Sequence, residues 1–280
     1  MRARRVLLAL ALAIAGAVSA VPGVAAADTT HYYLALGDSL SRGLIPGVGD
    51  TDQGYTDDLY ATLHAADPSL QLVKLGCSGE TTGTMINGGE CTDRYPTGTS
   101  QLDAAEQFLR DHAGAVTVLT LDIGANDVDN CASGGTINPV CVAQGLLTIA
   151  QNLNTILTRL QAAAGPVPVK VGMNYYDPFL AAWLTGTQGK AVALASLTLL
   201  EALNATEGTL YGLHGFKIAD VASAFHSLDF LSQRTVAPYG TLPTDVAYIC
   251  QYTYMCSIQN IHATVAGYQL IANAFVKRLA

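Results

Sequence analysis

Two residue types whose pairing does acyl chemistry stand far apart in this chain. Ser39 lies in Gly37-Asp38-Ser39-Leu40-Ser41, directly after an apolar run, and His262 lies in Asn260-Ile261-His262-Ala263-Thr264 near the end. A serine hydroxyl becomes a nucleophile when a histidine takes its proton, and the same imidazole can return that proton to a leaving alcohol. The oxyanion formed on the way needs donors. Ser39 N–H, the N–H of Gly79 in Gly76-Cys77-Ser78-Gly79-Glu80-Thr81-Thr82, and the side-chain amide of Asn126 in Gly124-Ala125-Asn126-Asp127 are candidates. Each such donor typically contributes about 3 kcal/mol to the transition state. Taken singly, every one of these residues has a plain alternative: Ser39 or Asn126 as a cap, Gly79 as a turn, His262 as a surface histidine at a helix start.

These segments need elements to bring them together. Apolar runs rich in Val, Leu, Ile and Tyr occupy Tyr32–Leu36, Leu70–Leu75, Ala115–Ile123 and Val167–Met173, with a weaker fifth at Phe216–Val221. None alternates between apolar and polar, as expected of strands buried on both faces of a parallel sheet. Helix-like stretches separate them at Tyr55–Ala66, Ser100–His112, Val142–Ala164 and Thr187–Leu213, and another follows His262. Strand alternating with helix predicts a doubly wound α/β sheet in one domain, with ligands beyond the carboxyl ends of the strands. Ser39, Gly79 and Asn126 each follow a predicted strand. A serine that also opens a helix would gain from the helix dipole.

The four blocks around Ser39, Gly79, Asn126 and His262 resemble, in order and spacing, those of the GDSL/SGNH hydrolases, and the acidic cysteine-paired chain resembles the secreted actinobacterial lipases and esterases among them. The resemblance implies a flavodoxin-like three-layer αβα sandwich with a five-stranded parallel sheet. It also implies a carboxylic-ester hydrolase with Ser39 as nucleophile, His262 as base, and Ser39, Gly79 and Asn126 as the oxyanion hole. No cofactor is implied. The family usually places an aspartate three residues before the histidine, where this chain has Gln259, and often a proline where it has Ala263. Three groups can replace the aspartate as orienter of His262: a backbone carbonyl near Gln259, which we favour, then Asp245, or the Gln259 side chain. The Asp28-Thr29-Thr30-His31 string carries the missing spacing, but it precedes the first strand, about 16 Å from the chemistry.

Two other readings stay open: a carbohydrate-ester deacetylase of the same superfamily, and a non-catalytic secreted binding protein. Tyr175, Tyr176, Phe179, Trp183 and Leu184 favour an apolar acyl site over a sugar site. Ala191–Leu200, too short to span a bilayer, reads as a helix buried on the sheet, with an acyl-pocket wall as its second role.

The compartment follows from the N-terminus. Arg2, Arg4 and Arg5 precede an apolar stretch Val6–Val18 and the small residues Ala25-Ala26-Ala27, the parts of a secretory signal peptide. Residues 1–27 are therefore expected to be a signal and residues 28–280 one catalytic domain. The whole chain has 14 Lys+Arg against 22 Asp+Glu, net −8; without the signal's three arginines the balance is 11 against 22, about −11. Such a charge, with the lysines scattered, excludes a nucleic-acid partner, and neither membrane insertion nor a stable oligomer is expected. In an oxidising compartment six cysteines read as disulfides. They allow 15 connectivities, of which the sequence-local pairs Cys77/Cys91, Cys131/Cys141 and Cys250/Cys256 are expected. No Cys or His spacing suits zinc, and Asp127-Val128-Asp129-Asn130-Cys131 breaks the calcium-loop pattern. Asp50, Asp52, Asp57 and Asp58 read as a solvated face, and Asn204-Ala205-Thr206 as a glycosylation sequon.

Overall fold

The computed structural model describes residues 30–133 and 135–279, so the expected signal segment lies outside the described residues. The strands are β1 (His31–Gly37), β2 (Leu70–Lys74), β3 (Val116–Asp122), β4 (Ala132–Ser133), β5 (Thr136–Ile137), β6 (Val169–Met173), β7 (Lys217–Ala219), β8 (Gln233–Val236) and β9 (Gly240–Pro243). The five apolar runs form one parallel sheet in the order β2-β1-β3-β6-β7. β1 and β3 are buried almost throughout, which is why their sequences do not alternate. β4–β5 and β8–β9 are small antiparallel ribbons. Because the chain steps outward from β1 in both directions, β1 and β3 flank the point where ligands bind in such sheets.

The helices are α1 (Tyr55–Ala66), α2 (Thr82–Asn87), α3 (Gln101–Asp111), α4 (Pro139–Ala164), α5 (Thr187–Leu213), α6 (Val221–Ala224), α7 (Thr244–Tyr252), α8 (Met255–Ile258) and α9 (Val265–Val276). α1 packs against α9, where the rings of Tyr55 and Phe275 stack at 4.8 Å, and α3, α4 and α5 pack in succession. Side-chain caps start several of them: Thr81 for α2, Ser100 for α3, Asn138 for α4 and Thr264 for α9. α4 is long and apolar enough to cross a membrane, yet Ile149, Leu153, Ile156, Leu157 and Leu160 place one face of it in the core. The arrangement is the expected αβα sandwich. The sequence reading misses α2, α6, α7, α8 and both ribbons, which are too short to show a hydrophobic period.

All three local cysteine pairs are disulfides: Cys77–Cys91, Cys131–Cys141 and Cys250–Cys256, with Cα–Cα separations of 5.9, 5.5 and 4.9 Å. They clip the segments that follow β2, β3 and α7, where little regular structure fixes the chain. The first encloses more than a loop, because α2 lies between its two cysteines. Cys77 is buried, whereas Cys91 is half-buried and has φ +45°, in the left-handed region that few residues other than glycine adopt. The sequence carries no sign of that turn at Cys91. Neither cysteine lines the cleft described below, so Cys91 serves the site only from behind, by anchoring through Cys77 the segment that carries Gly79.

His31 sits at the amino end of β1 and bonds Asp67 at 2.6 Å, remote from the carboxyl-end loops. The Asn204 amide is spent on both backbone groups of Tyr175, at 2.8 and 3.0 Å, so the sequon asparagine serves as a structural clamp.

One glycine decides how β1 ends. Gly37 has φ +140°, and a Cβ there would lie 2.2 Å from the carbonyl oxygen of Asp122. Gly37→Ala is expected to cost about 3 kcal/mol or more and to lower the melting temperature by about 10 °C, as measured by thermal unfolding. Unchanged melting would mean that the β1 end is looser than its geometry.

Candidate active site

Ser39 follows β1 on a turn, where the sequence reading expects a helix start. Leu44 N–H bonds the Ser39 carbonyl and Gly43 N–H the Leu40 carbonyl; the next helix, α1, begins only at Tyr55. No helix dipole therefore acts at Ser39. In its place a buried carboxylate at the end of β3 holds the turn: Asp122 Oδ2 accepts from Asp38 N–H at 3.3 Å and Ser41 N–H at 3.2 Å, and Oδ1 from the Tyr55 hydroxyl at 2.5 Å. Asp38 beside it accepts from Leu40 N–H at 2.9 Å and the Tyr175 hydroxyl at 3.1 Å. Burial, and then the charge of Asp38, push the Asp122 carboxyl well above the usual range.

Ser39 Oγ lies 2.8 Å from His262 Nε2, across 223 residues of sequence. The other ring nitrogen, Nδ1, lies 2.7 Å from Asn260 Oδ1. That oxygen also accepts His262 N–H at 3.1 Å, an Asx turn that fixes which way the amide points. Nδ1–H therefore donates to Asn260, and Nε2 is left to accept the Ser39 proton. This replaces all three expected orienters. Gln259 caps α8 in the left-handed conformation with φ +55° and is exposed, so neither its side chain nor a carbonyl beside it meets the ring. Asp245 is buried in α7, where Oδ1 accepts Val246 N–H at 2.7 Å and Oδ2 has no partner; burial pushes its carboxyl up to about 7. The Asx spacing, Asn two residues before His, was the available signal in the sequence.

The His262 loop is held from outside the ring as well. Tyr254 N–H bonds the His262 carbonyl at 3.0 Å, the Tyr176 hydroxyl bonds the Ile261 carbonyl at 2.7 Å, and Cys250–Cys256 clips the preceding segment. Burial lowers the His262 pKa below its ordinary value, with the charge of Asp50 pulling it back. Asp50, exposed like Asp52, accepts from Arg42 Nε at 2.9 Å and Ser78 Oγ at 2.5 Å, while the half-buried Asp57 pairs with Lys74 at 2.8 Å.

Gly79 and Asn126 reach the same side of the sheet from the loops after β2 and β3. Asn126 Nδ2 donates to the Glu80 carbonyl at 2.8 Å, and Asp127 accepts both Thr82 N–H at 2.8 Å and Thr82 Oγ1 at 2.7 Å. The two loops are thus tied at three points. Gln101, at the start of α3, ties both to the nucleophile strand: it bridges Gly37 N–H at 2.7 Å, the Gly37 carbonyl at 2.9 Å and Glu80 Oε2 at 2.8 Å. Gly79 has φ +89°, open to glycine. Among the described residues, no acceptor meets Ser39 N–H or Gly79 N–H, and the second hydrogen of the Asn126 amide is unspent.

A cleft opens beside Ser39 and His262. Its walls are mostly apolar, from Val128, Val142, Leu146, Phe179, Leu199 and Leu203, so α4 and α5 face each other across it. Ser196 and Leu200 show that the Ala191–Leu200 stretch both packs on the core and lines the cleft. Tyr175, Tyr176 and Phe179 line it as expected. Trp183 and Leu184 do not: Trp183 packs on Phe230 and under Lys190, and Leu184 is exposed. Among the described residues no cluster of His, Cys, Asp and Glu is placed to hold a metal ion.

Residues 35–270 match the GDSL-like lipase/acylhydrolase family model. Among solved structures the chain is similar to a phospholipase A1 from Streptomyces albidoflavus, at 18% identity and TM-score 0.55, covering 89% of this chain and 99% of that one. An extracellular lipase from Streptomyces rimosus aligns at 16% identity and TM-score 0.54, covering 89% and 99%. An acetylxylan esterase from Geobacillus stearothermophilus aligns at 15% and 0.54, covering 89% and 94%. At such identities these structures speak to the fold alone. A search of curated proteins finds no match. With the family model spanning most of its length, the chain belongs to the GDSL-like lipase/acylhydrolase family and is a carboxylic-ester hydrolase.

Proposed function

We propose that the protein is a secreted lipase/esterase that hydrolyses its substrate through an acyl-enzyme on Ser39. The observation that carries this reading is the relay Ser39 Oγ to His262 Nε2 at 2.8 Å and His262 Nδ1 to Asn260 Oδ1 at 2.7 Å. As Ser39 Oγ bonds the ester carbonyl carbon, its proton moves to Nε2. Collapse of the tetrahedral intermediate breaks the bond to the alcohol, which leaves with that proton; water then repeats the sequence and frees the acid. Ser39 N–H, Gly79 N–H and the Asn126 amide receive the oxyanion, their unspent hydrogens being ready for it.

Asn260 acts as a positioning residue. As a neutral acceptor it fixes the tautomer but stabilises the imidazolium less than a carboxylate does. The apolar walls of the cleft support an acyl chain longer than acetyl as the preferred substrate. Three disulfides and the acidic balance support export, with residues 1–27 as signal and the remainder acting as one catalytic domain and a monomer.

Two experiments test this. Hydrolysis of p-nitrophenyl esters from acetyl to palmitoyl is expected to depend on Ser39 at every chain length and to peak above acetyl. Turnover surviving in Ser39→Ala contradicts the mechanism, and a peak at acetyl contradicts the substrate class. In the second, Asn260→Ala is expected to lower kcat about ten- to a hundredfold with KM little changed, whereas Asp245→Asn changes kcat/KM by less than about twofold. Neutral His262 is the active base, so in wild type kcat/KM rises with pH through a midpoint below about 6.5. Asn260→Asp favours the imidazolium and moves that midpoint upward; a midpoint unmoved in Asn260→Asp removes Asn260 from the relay.

A further inference from the structure

Hydrolysis of a plain fatty ester leaves one group in the cleft without a task. Asp129 stands in the helical turn Asp129–Cys131, which the Cys131–Cys141 disulfide pins to the start of α4, and it lines the cleft that holds Ser39 and His262. Although the residue as a whole is half-buried, its Oδ2 is enclosed and meets no hydrogen-bond donor. The other two carboxylates lining the cleft are satisfied. Asp38 is met by Leu40 N–H and the Tyr175 hydroxyl, and Asp177 by Phe179 N–H at 2.9 Å and Ser196 Oγ at 2.6 Å. Among the described residues, no lysine or arginine lines the cleft, and His262 is the one basic group there.

An enclosed carboxyl without a donor carries an uncompensated desolvation cost. An alkyl chain filling the cleft would leave that cost in place. A ligand that brings its own positive charge would remove it, because the charge-assisted contact forms where water no longer competes. Burial, with the charges of Asp38 and Asp177, pushes the Asp129 carboxyl up to about 7, and a cation beside it would favour its charged form. Tyr176 and Phe179 line the same cleft, and aromatic rings attract ammonium groups.

We propose that the cleft contains a subsite for the ammonium group of an amine-bearing ester, with the Asp129 carboxylate as its counter-charge. The inference rests on the reading of Ser39 as the ester-cleaving nucleophile and adds a substrate class to it. The ammonium can sit on the alcohol or on the acyl side, and each case has a probe pair. Acetylcholine is compared with neohexyl acetate, its uncharged carbon isostere, and ethyl aminocaproate with ethyl heptanoate.

In wild type the charged member of one pair is expected to exceed its neutral partner by about tenfold or more in kcat/KM, mainly through KM. In Asp129→Asn that ratio falls towards one. Because both members are measured on the same variant, a general loss of folded enzyme cancels. Asp111→Asn, which removes the same charge from the exposed end of α3, keeps the wild-type ratio and separates the local contact from the net charge of the protein. Turnover of the neutral esters without preference for either charged one, or a preference that survives in Asp129→Asn, overturns this inference alone. Absence of turnover on all four esters overturns the Ser39 reading and this inference with it.

Discussion

A single buried carboxylate holds the turn that carries Ser39. Ser39 sits on a turn with no helix behind it, and such a turn has backbone N–H groups with nowhere regular to point. Asp122, arriving from the neighbouring strand, takes two of them and fixes Tyr55 as well. The cost of burying that acid next to Asp38 is offset by donors from three segments, the Ser39 turn, Tyr55 and Tyr175. Gly37 is the other side of the same constraint, because the chain passes so close to Asp122 that a side chain would collide with it. The β1 and β3 ends therefore form one unit, at the place where a doubly wound sheet opens for ligands.

From that unit the rest of the site is assembled by cross-links between loops. Gln101 joins the Gly37 peptide to Glu80, Asn126 joins Glu80 to the β3 loop, and Asp127 caps α2 through Thr82. The Cys77–Cys91 disulfide closes the same segment covalently from its far end. Each polar link spends one hydrogen of an amide or one oxygen of a carboxylate and leaves the oxyanion donors free. The base is positioned by a separate device, a short Asx turn within the His262 loop. Relative to an aspartate, Asn260 adds no further negative charge to a cleft that already carries Asp38, Asp129 and Asp177. Retention of a neutral orienter is consistent with that acidic wall.

Much of this was legible in the sequence, for reasons that can be stated. Ser39, Gly79, Asn126 and His262 each follow an apolar run or precede a final helix, so strand order alone brings them to one edge. The disulfide pairing was legible because each pair brackets a segment short enough to close on itself, although the left-handed turn at Cys91 and the helix inside its pair were not. Asn260 was hidden because it stands nearer to His262 than the position where the family carries its aspartate, and the Asx turn that aims its amide oxygen at the ring exists only in the folded loop. Gln101 was hidden as well: a glutamine in the first turn of an amphipathic helix looks like surface, and only the tertiary fold makes it the bridge beneath Ser39. The helix expected after Ser39 failed because the residues from Leu40 to Gln53 carry glycines and charges in place of a helical period.

In the proposed mechanism Ser39 is a nucleophile because His262 takes its proton. Labelling with an alkyl fluorophosphonate, followed by peptide mass mapping, tests it directly: the reagent loses fluoride only to an activated oxygen and leaves a stable adduct at the site of attack. One adduct is expected, on Ser39, formed by the wild-type protein and at least about a hundredfold more slowly by His262→Ala. An adduct on another residue, or labelling of Ser39 at the same rate without His262, would contradict it.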